Sequence, residues 1–327
     1  MPKTALITGG TGLLGREVVK AFKRAGWMAI GTGLTRANPP DILMLDLLQE
    51  EDIEKVLSDA KPDVVVHCAA NRFPDQCTKD PTQARSLNAT STSHLAAHCH
   101  AKNVLLIYIS TDYVFSGAPG EAPYRPSSPP SPTNVYGQTK REGEETVLQQ
   151  APYAGGKGLA VVLRVPILYG HIGDEDPSAG AVNVLVKQIW KSQYGQKIKM
   201  DHYAQRYPTA TEDVARICVD VSKLYLEKQR VDQAEHLPRI LHFSAEERMT
   251  KWEMCEVLAE ILGLPLGGVE AWDPSRDDVE KSERGEEVTV RPYDCHLDTG
   301  VLKELEVDVT AMSFKDWWKR ELLGNKR

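Results

Sequence analysis

A tyrosine and a lysine four residues apart, in Tyr136-Gly137-Gln138-Thr139-Lys140, are the pair in this chain best suited to move a proton. At i and i+4 on a helix the two side chains share one face. A nearby ammonium stabilises a phenolate and lowers the phenol pKa. The tyrosine then serves as general acid to a carbonyl that receives hydride. Upstream, Ile109-Ser110-Thr111-Asp112-Tyr113 closes an apolar run, and a hydroxyl there can hold the substrate oxygen. The plain structural alternative is a surface Tyr–Lys pair, because the spacing recurs by chance.

A hydride needs a carrier, and the N-terminus holds a loop suited to one. Thr8-Gly9-Gly10-Thr11-Gly12-Leu13-Leu14-Gly15 follows the apolar run Ala5-Leu6-Ile7 and precedes a helical pattern. Gly9 permits the tight turn, Gly12 lets backbone approach a pyrophosphate, and Gly15 lets the helix pack closely on the strand. The helix start then offers unpaired N–H groups to phosphate. The alternative is a Gly-rich turn without a ligand, but the strand-before, helix-after context is the one that dinucleotide sites require.

The second strand ends in Gly31-Thr32-Gly33-Leu34-Thr35-Arg36, with no acid to accept from a ribose 2′-hydroxyl. Arg36 can pair instead with a 2′-phosphate, so NADP(H) is expected rather than NAD(H). The alternative for Arg36 is a solvated surface residue. Asp46-Leu47 follows a further short run, where the aspartate can accept from an adenine amino group or cap the next helix. His67-Cys68-Ala69-Ala70 ends another strand, and its small residues can line the cofactor. His67 reads as a packed strand residue rather than a base. The expected cofactor wall is Thr8, Gly9, Gly12, Leu13, Leu14, Gly15, Arg36, Asp46, Leu47, Cys68, Ala69, Ala70, Tyr136, Lys140 and Pro166. Asp112, Tyr113 and Arg206 are candidates for the substrate wall, with a lobe-to-lobe salt bridge as the plain alternative for Arg206.

Short β-branched runs at 5–8, 28–32, 64–67, 104–109 and 159–164 alternate with amphipathic stretches at 14–25, 51–60, 84–101 and 136–149. That alternation predicts an α/β, doubly wound parallel sheet of the Rossmann type. Runs such as Val64-Val65-Val66 suit a sheet covered on both faces. Six prolines between 112 and 136 predict a long ordered loop. Beyond 170 the alternation fades, with helices expected at 181–193, 212–228 and 250–262 and strands at 240–243 and 269–272. The expected division is a dinucleotide-binding domain over 1–170 and a smaller substrate or partner lobe over 171–327, with some interleaving.

The chain has 327 residues, 41% hydrophobic and 26% charged, which allows a sizeable core. A formal charge of −7 argues against a nucleic-acid partner. No run is long and apolar enough to predict a membrane span, and no leader precedes the first strand. The six cysteines form no C-x-x-C pair and read as free thiols of a cytoplasmic protein. No metal site is expected.

The glycine loop, Ser110-Thr111-Asp112-Tyr113-Val114-Phe115 and Asn134-Val135-Tyr136-Gly137 with Lys140 resemble the extended short-chain dehydrogenases and reductases, in their dTDP-4-dehydrorhamnose reductase-like branch. That resemblance implies a Thr111/Tyr136/Lys140 triad and a cofactor-side asparagine at Asn88. Strings in the second half are similar to the branch's regulatory members, the β subunits of methionine adenosyltransferase. They include Leu163-Arg164-Val165-Pro166-Ile167-Leu168-Tyr169-Gly170, Gln205-Arg206-Tyr207-Pro208-Thr209 and Met249-Thr250-Lys251. This resemblance implies a catalytic methionine adenosyltransferase subunit as partner, with NADP(H) ordering the sheet. The intact triad implies a carbonyl reductase acting on a keto-sugar or other ketone as the other reading.

Two departures bear on these implications. Ile167 stands where the sugar reductases place a tryptophan in the sugar pocket. The chain stops at Leu322-Leu323-Gly324-Asn325-Lys326-Arg327, without the aromatic tail by which the β subunits dock. Trp317-Trp318, at helical spacing with Phe314 and Leu322, are expected in the core.

Overall fold

A computed structural model describes residues 2–150, 159–171, 180–230, 237–275, 284 and 289–324. The first half alternates as its periodicity predicts. β1 (Thr4–Thr8) leads to α1 (Leu13–Arg24), β2 (Met28–Gly33), β3 (Ile42–Met44), α2 (Glu50–Ala60) and β4 (Val64–His67). Two short helices, α3 (Pro74–Lys79) and α4 (Pro81–Arg85), run into a π-helical turn (Ser86–Thr90) and α5 (Ser91–Ala101). β5 (Leu105–Thr111), a 3₁₀ turn (Asp112–Val114), α6 (Val135–Gln150) and β6 (Ala160–Val165) follow.

The remainder comprises β7 (Leu168–Tyr169), α7 (Val184–Gln193), β8 (Ile198–Asp201), β9 (Thr209–Ala210), α8 (Thr211–Arg230), β10 (Ile240–His242), α9 (Lys251–Leu262), β11 (Val269–Trp272), α10 (Gly300–Glu304) and α11 (Phe314–Gly324). Seven strands form one parallel sheet in the order β10-β6-β5-β4-β1-β2-β3. The strand order reverses between β1 and β4, the crevice where open α/β sheets bind ligands.

Both faces of the sheet are covered, which explains why β4, β5 and β6 are buried at every residue. One face packs Ile7, Val66 and Ile107 against Val18 and Phe22 of α1 and Val214 and Val221 of α8. The other packs Leu6, Val65 and Leu106 against Ile53 of α2, Leu95 of α5 and Val147 of α6. β10 and α8 come from beyond residue 170 yet complete this sheet and its cover.

A separate core joins α7, α9 and α11 around Tyr169, Met254, Phe314, Trp317 and Trp318. Trp317 and Trp318 are buried there, as their spacing predicts, and Ile167 packs against the same cluster. The loop between β5 and α6 has a small core of its own, in which Phe115 stacks on Tyr124 at 4.2 Å beside Leu297.

All six cysteines are free. Among the described residues no group of three His, Cys, Asp or Glu could hold a metal, and no helix is long and apolar enough to cross a membrane.

Candidate functional site

The glycine loop sits at the C-terminal end of β1. Gly9 has φ +63°, in the left-handed region that favours glycine. A Cβ on Gly15 would lie 2.1 Å from the Gly9 carbonyl oxygen, so only glycine lets α1 start this close to the strand. Gly12 is the N-cap of α1, with no side-chain cap and no acid in the first turn. The helix therefore presents its first N–H groups and its positive dipole end without a competing protein anion.

The neighbouring strand ends complete the cradle. Thr8 Oγ1 lies 2.6 Å from His67 Nδ1, and His67 Nε2 lies 3.1 Å from Thr92 Oγ1. Burial, with the Lys140 charge adding to it, pushes the His67 imidazole down to about 3. His67 is thus a neutral cross-brace between β1, β4 and α5. Cys68, Ala69 and Ala70 are half-buried beyond it, and burial pushes the Cys68 thiol up to about 12. Asp46 is half-buried, and its Oδ1 accepts from the Leu48 amide at 3.0 Å. The N-cap of α2 is Gln49 rather than Asp46. Leu13, Leu14, Leu47 and Pro166 are buried.

Arg36 is exposed, three residues past the end of β2. Sequence reasoning missed its companion, Arg72. That guanidinium lies 4.6 Å from the Phe73 ring centre, close enough to feel the charges of both Tyr136 and Arg36. Only the lack of an acid between Ala70 and Phe73 hinted at it.

The proton-transfer group forms where α6 crosses the end of β5. Lys140 is 2% exposed; its Nζ donates to the Ile109 carbonyl at 2.8 Å and lies 3.9 Å from the Tyr108 ring centre. Burial pushes this ammonium down to about 7, against the nearby Glu144 charge that raises it. Burial raises the Tyr136 phenol, while a hydrogen bond with Thr111 and the Arg72 charge oppose the rise. Thr111 and Arg72 both favour the phenolate form of Tyr136.

Thr111 Oγ1 donates to Asp112 Oδ1 at 3.0 Å and accepts from the Tyr113 amide at 3.2 Å. Burial pushes the Asp112 carboxyl up to about 6, with Arg206 and the Thr111 hydroxyl pulling against it. Tyr113 meets Tyr136 edge-on at 6.0 Å, and Arg206 lies 5.6 Å from the Tyr113 ring centre. Among the described residues Arg206 forms no salt bridge; its Nη1 donates to the carbonyl of the adjacent Gln205 at 3.1 Å and to that of the distant Pro292 at 3.0 Å.

Asn88 lies on the π-helical turn, a local widening that often marks functional sites. Its Nδ2 donates to the Asn71 carbonyl at 2.9 Å and to Thr139 Oγ1 at 3.0 Å, and its Oδ1 accepts from the Asn71 amide at 2.8 Å. It thereby ties the strand-end loop carrying Arg72 to α6.

One more group holds α6 in place. Glu144, one turn beyond Lys140, pairs with Arg164 at 2.9 and 2.7 Å and accepts from Ser110 Oγ at 2.5 Å. All three residues are buried. Arg164 Nη1 donates to His242 Nε2 at 3.2 Å, leaving His242 Nδ1 to face the Tyr124 carbonyl at 3.2 Å.

The sequence and the fold recur among known proteins. The chain is 38% identical over 305 residues to "Methionine adenosyltransferase 2 subunit beta" of Xenopus tropicalis, covering 93% of this chain and 83% of that relative. It is 34% identical to dTDP-4-dehydrorhamnose reductase of Streptomyces griseus over 64% of this chain and 62% of that one. The crystal structure of dTDP-4-dehydrorhamnose reductase from Bacillus anthracis in complex with NADP overlays with a TM-score of 0.77 across 99% of both chains, at 20% identity. Residues 3–310 match the model described as RmlD substrate binding domain. With site, sheet order and family match in agreement, the chain belongs to the RmlD substrate-binding family of extended short-chain dehydrogenases and reductases.

Proposed function

We propose that this chain binds NADP(H) in the β1–α1 cleft and serves as a regulatory subunit of a cytoplasmic methionine adenosyltransferase. The observation that carries the regulatory role is a likeness of 38% identity, running through both lobes, to relatives that bear that subunit's name. The residues present fit the dinucleotide. The glycine cradle is too tight for a Cβ at Gly15, and the first turn of α1 has neither a side-chain cap nor an acid. Gly9, Gly12 and the α1 N-terminus would hold the pyrophosphate, Arg36 with Arg72 the 2′-phosphate, and Lys140 the nicotinamide ribose. Ligand binding to the folded state alone stabilises it, so a bound cofactor would order the sheet ends that face the partner.

The second reading is an NADPH-dependent carbonyl reductase, favoured by the convergence of Thr111, Tyr136 and Lys140 at one strand end. When bound, the cofactor would supply the hydride. Thr111 would orient the carbonyl oxygen, and Tyr136 would protonate it as charge develops there. Thr111 and Arg72 would then stabilise the phenolate left behind.

Mixing the NADP-loaded chain with a purified methionine adenosyltransferase catalytic subunit tests the first reading. A stoichiometric complex in light scattering, with altered S-adenosylmethionine synthesis, is expected. Two separate species would sink it. NADPH oxidation with keto-sugars, abolished by Tyr136→Phe, would then establish the second.

A further inference from the structure

A buried aromatic ring lies under the Lys140 ammonium. Alternation along β5 turns Leu106, Tyr108 and Ser110 to the face that α5 and α6 cover, and Tyr108 is fully buried there. Lys140 Nζ sits 3.9 Å from the centre of this ring while donating to the Ile109 carbonyl at 2.8 Å. The Tyr108 hydroxyl lies 3.3 Å from the Asn88 carbonyl oxygen and 3.4 Å from the backbone carbonyl oxygen of Lys140 itself. One phenol proton serves one carbonyl at a time, so the ring is tethered either to the π-helical turn or to α6. Gly143 permits the close approach, because a Cβ there would collide with the Tyr108 hydroxyl and the Asn88 carbonyl.

A buried ammonium is costly unless something compensates its charge. Glu144, one turn further along α6, is already taken by Arg164 of β6 and Ser110 of β5. His67 and Cys68, at the end of β4, are the other titratable groups coupled to Lys140. Burial keeps both neutral, with the imidazole near 3 and the thiol near 12. Tyr136, one turn earlier on α6, has its phenol raised by burial. From α5, Thr92 brings only a hydroxyl, which donates to the Asn88 carbonyl. Among the described residues no carboxylate pairs with Lys140. The Ile109 carbonyl and the electron-rich face of Tyr108 are what remain to compensate it.

We propose that Tyr108 is a positioning residue for Lys140, its ring face keeping the ammonium protonated and holding it at the strand end where the nicotinamide ribose is gripped. A π face attracts a cation and not a neutral amine. The ring therefore opposes burial, which drives the Lys140 ammonium down to about 7. Without the ring, the side chain near neutral pH is mostly the free amine, a weaker donor to ribose hydroxyls than the ammonium. Tyr108 acts only through Lys140. This deepens the reading of the cleft given above and rests on its assignment of Lys140 to the ribose.

The test is an NMR titration of the full chain, free of cofactor, with isotope-labelled lysine side chains. The Lys140 resonance is identified by its loss in Lys140→Met, which separates it from Lys251, another lysine that burial lowers, to about 8. Tyr108→Phe keeps the ring and should leave the proton affinity of Lys140 within about twofold of wild type. Tyr108→Leu removes the ring and should lower that affinity about tenfold. Tyr108→pentafluorophenylalanine keeps the shape but reverses the charge of the ring face, so it makes the same prediction if Tyr108→Leu does not fold. NADPH titration near neutral pH should follow the same order, with Tyr108→Phe close to wild type and the other two about fivefold weaker. Unchanged Lys140 proton affinity in Tyr108→Leu or in the fluorinated variant overturns the proposal. So does a fall in Tyr108→Phe as large as theirs, which would assign the effect to the hydroxyl. Unchanged NADPH affinity in Lys140→Met would instead overturn the ribose assignment, and the NMR comparison would still decide the role of Tyr108.

Discussion

The crevice at the sheet ends and the junction above it handle charge in opposite ways. The crevice uses backbone: a left-handed Gly9, a Gly15 that no side chain can replace and an uncapped helix start. The junction uses side chains, with Arg206 and Asp112 buried and Lys251 and Asp201 half-buried near them. Backbone donors carry no net charge and cost little to leave empty. Enclosed side-chain charges must be balanced, so their environment shifts their pKa values. The lesson is that backbone donors can wait for an anion, whereas enclosed side-chain charges must be balanced within the fold.

Four substitutions break or sharpen this contrast. The largest effect is expected at Glu144→Ala, which leaves Arg164 buried without its carboxylate. A loss of about 3–5 kcal/mol should appear in urea unfolding, and a loss below about 1 kcal/mol would show that buried charge matters less here than the contrast requires. Next is Gly15→Val, whose Cβ has only backbone to meet. NADPH fluorescence titration should show an affinity loss of about a hundredfold, some 2.7 kcal/mol; retained affinity would mean the cradle is not the phosphate site.

Third is Asp112→Asn. A carboxyl raised on folding from 3.8 to about 6 contributes stability below its unfolded pKa and loses it as pH rises through about 6. Wild type should therefore lose on the order of 2 kcal/mol between pH 4 and 7 that Asp112→Asn does not. Parallel stability–pH curves for the two proteins would remove Asp112 from the charged set. The smallest is Arg36→Ala, expected to weaken NADP(H) about tenfold through one lost charge-assisted contact and to leave NAD(H) unchanged. Equal losses for both would mean that Arg36 does not read the 2′-phosphate.

The same contrast decides what could be read in the sequence. The cradle is legible because it spans Thr8 to Gly15 without interruption, and its neighbours are strand and helix by period alone. Tyr136 and Lys140 are legible for the same local reason. Arg72 was not, because its meeting with Tyr136 depends on how the chain turns after β4. Nor was the carbonyl clamp on Arg206, since Pro292 lies 86 residues away. The widened turn at Asn88 has no composition signal and emerges from packing against α6.

The Glu144–Arg164 pair also bears on the order in which the molecule can be made. The glycine loop, the triad and both partners of the pair have been synthesised by residue 164, but the acceptor for Arg164 Nη1 is His242 on β10, the last strand of the sheet to be made. Until β10 arrives, β6 is an open edge with one arm of a buried guanidinium unanswered. The helix that bears Tyr136 and Lys140 thus gains its final anchorage late in synthesis. A chain truncated before β10 would carry every residue of the triad without the brace that holds them still.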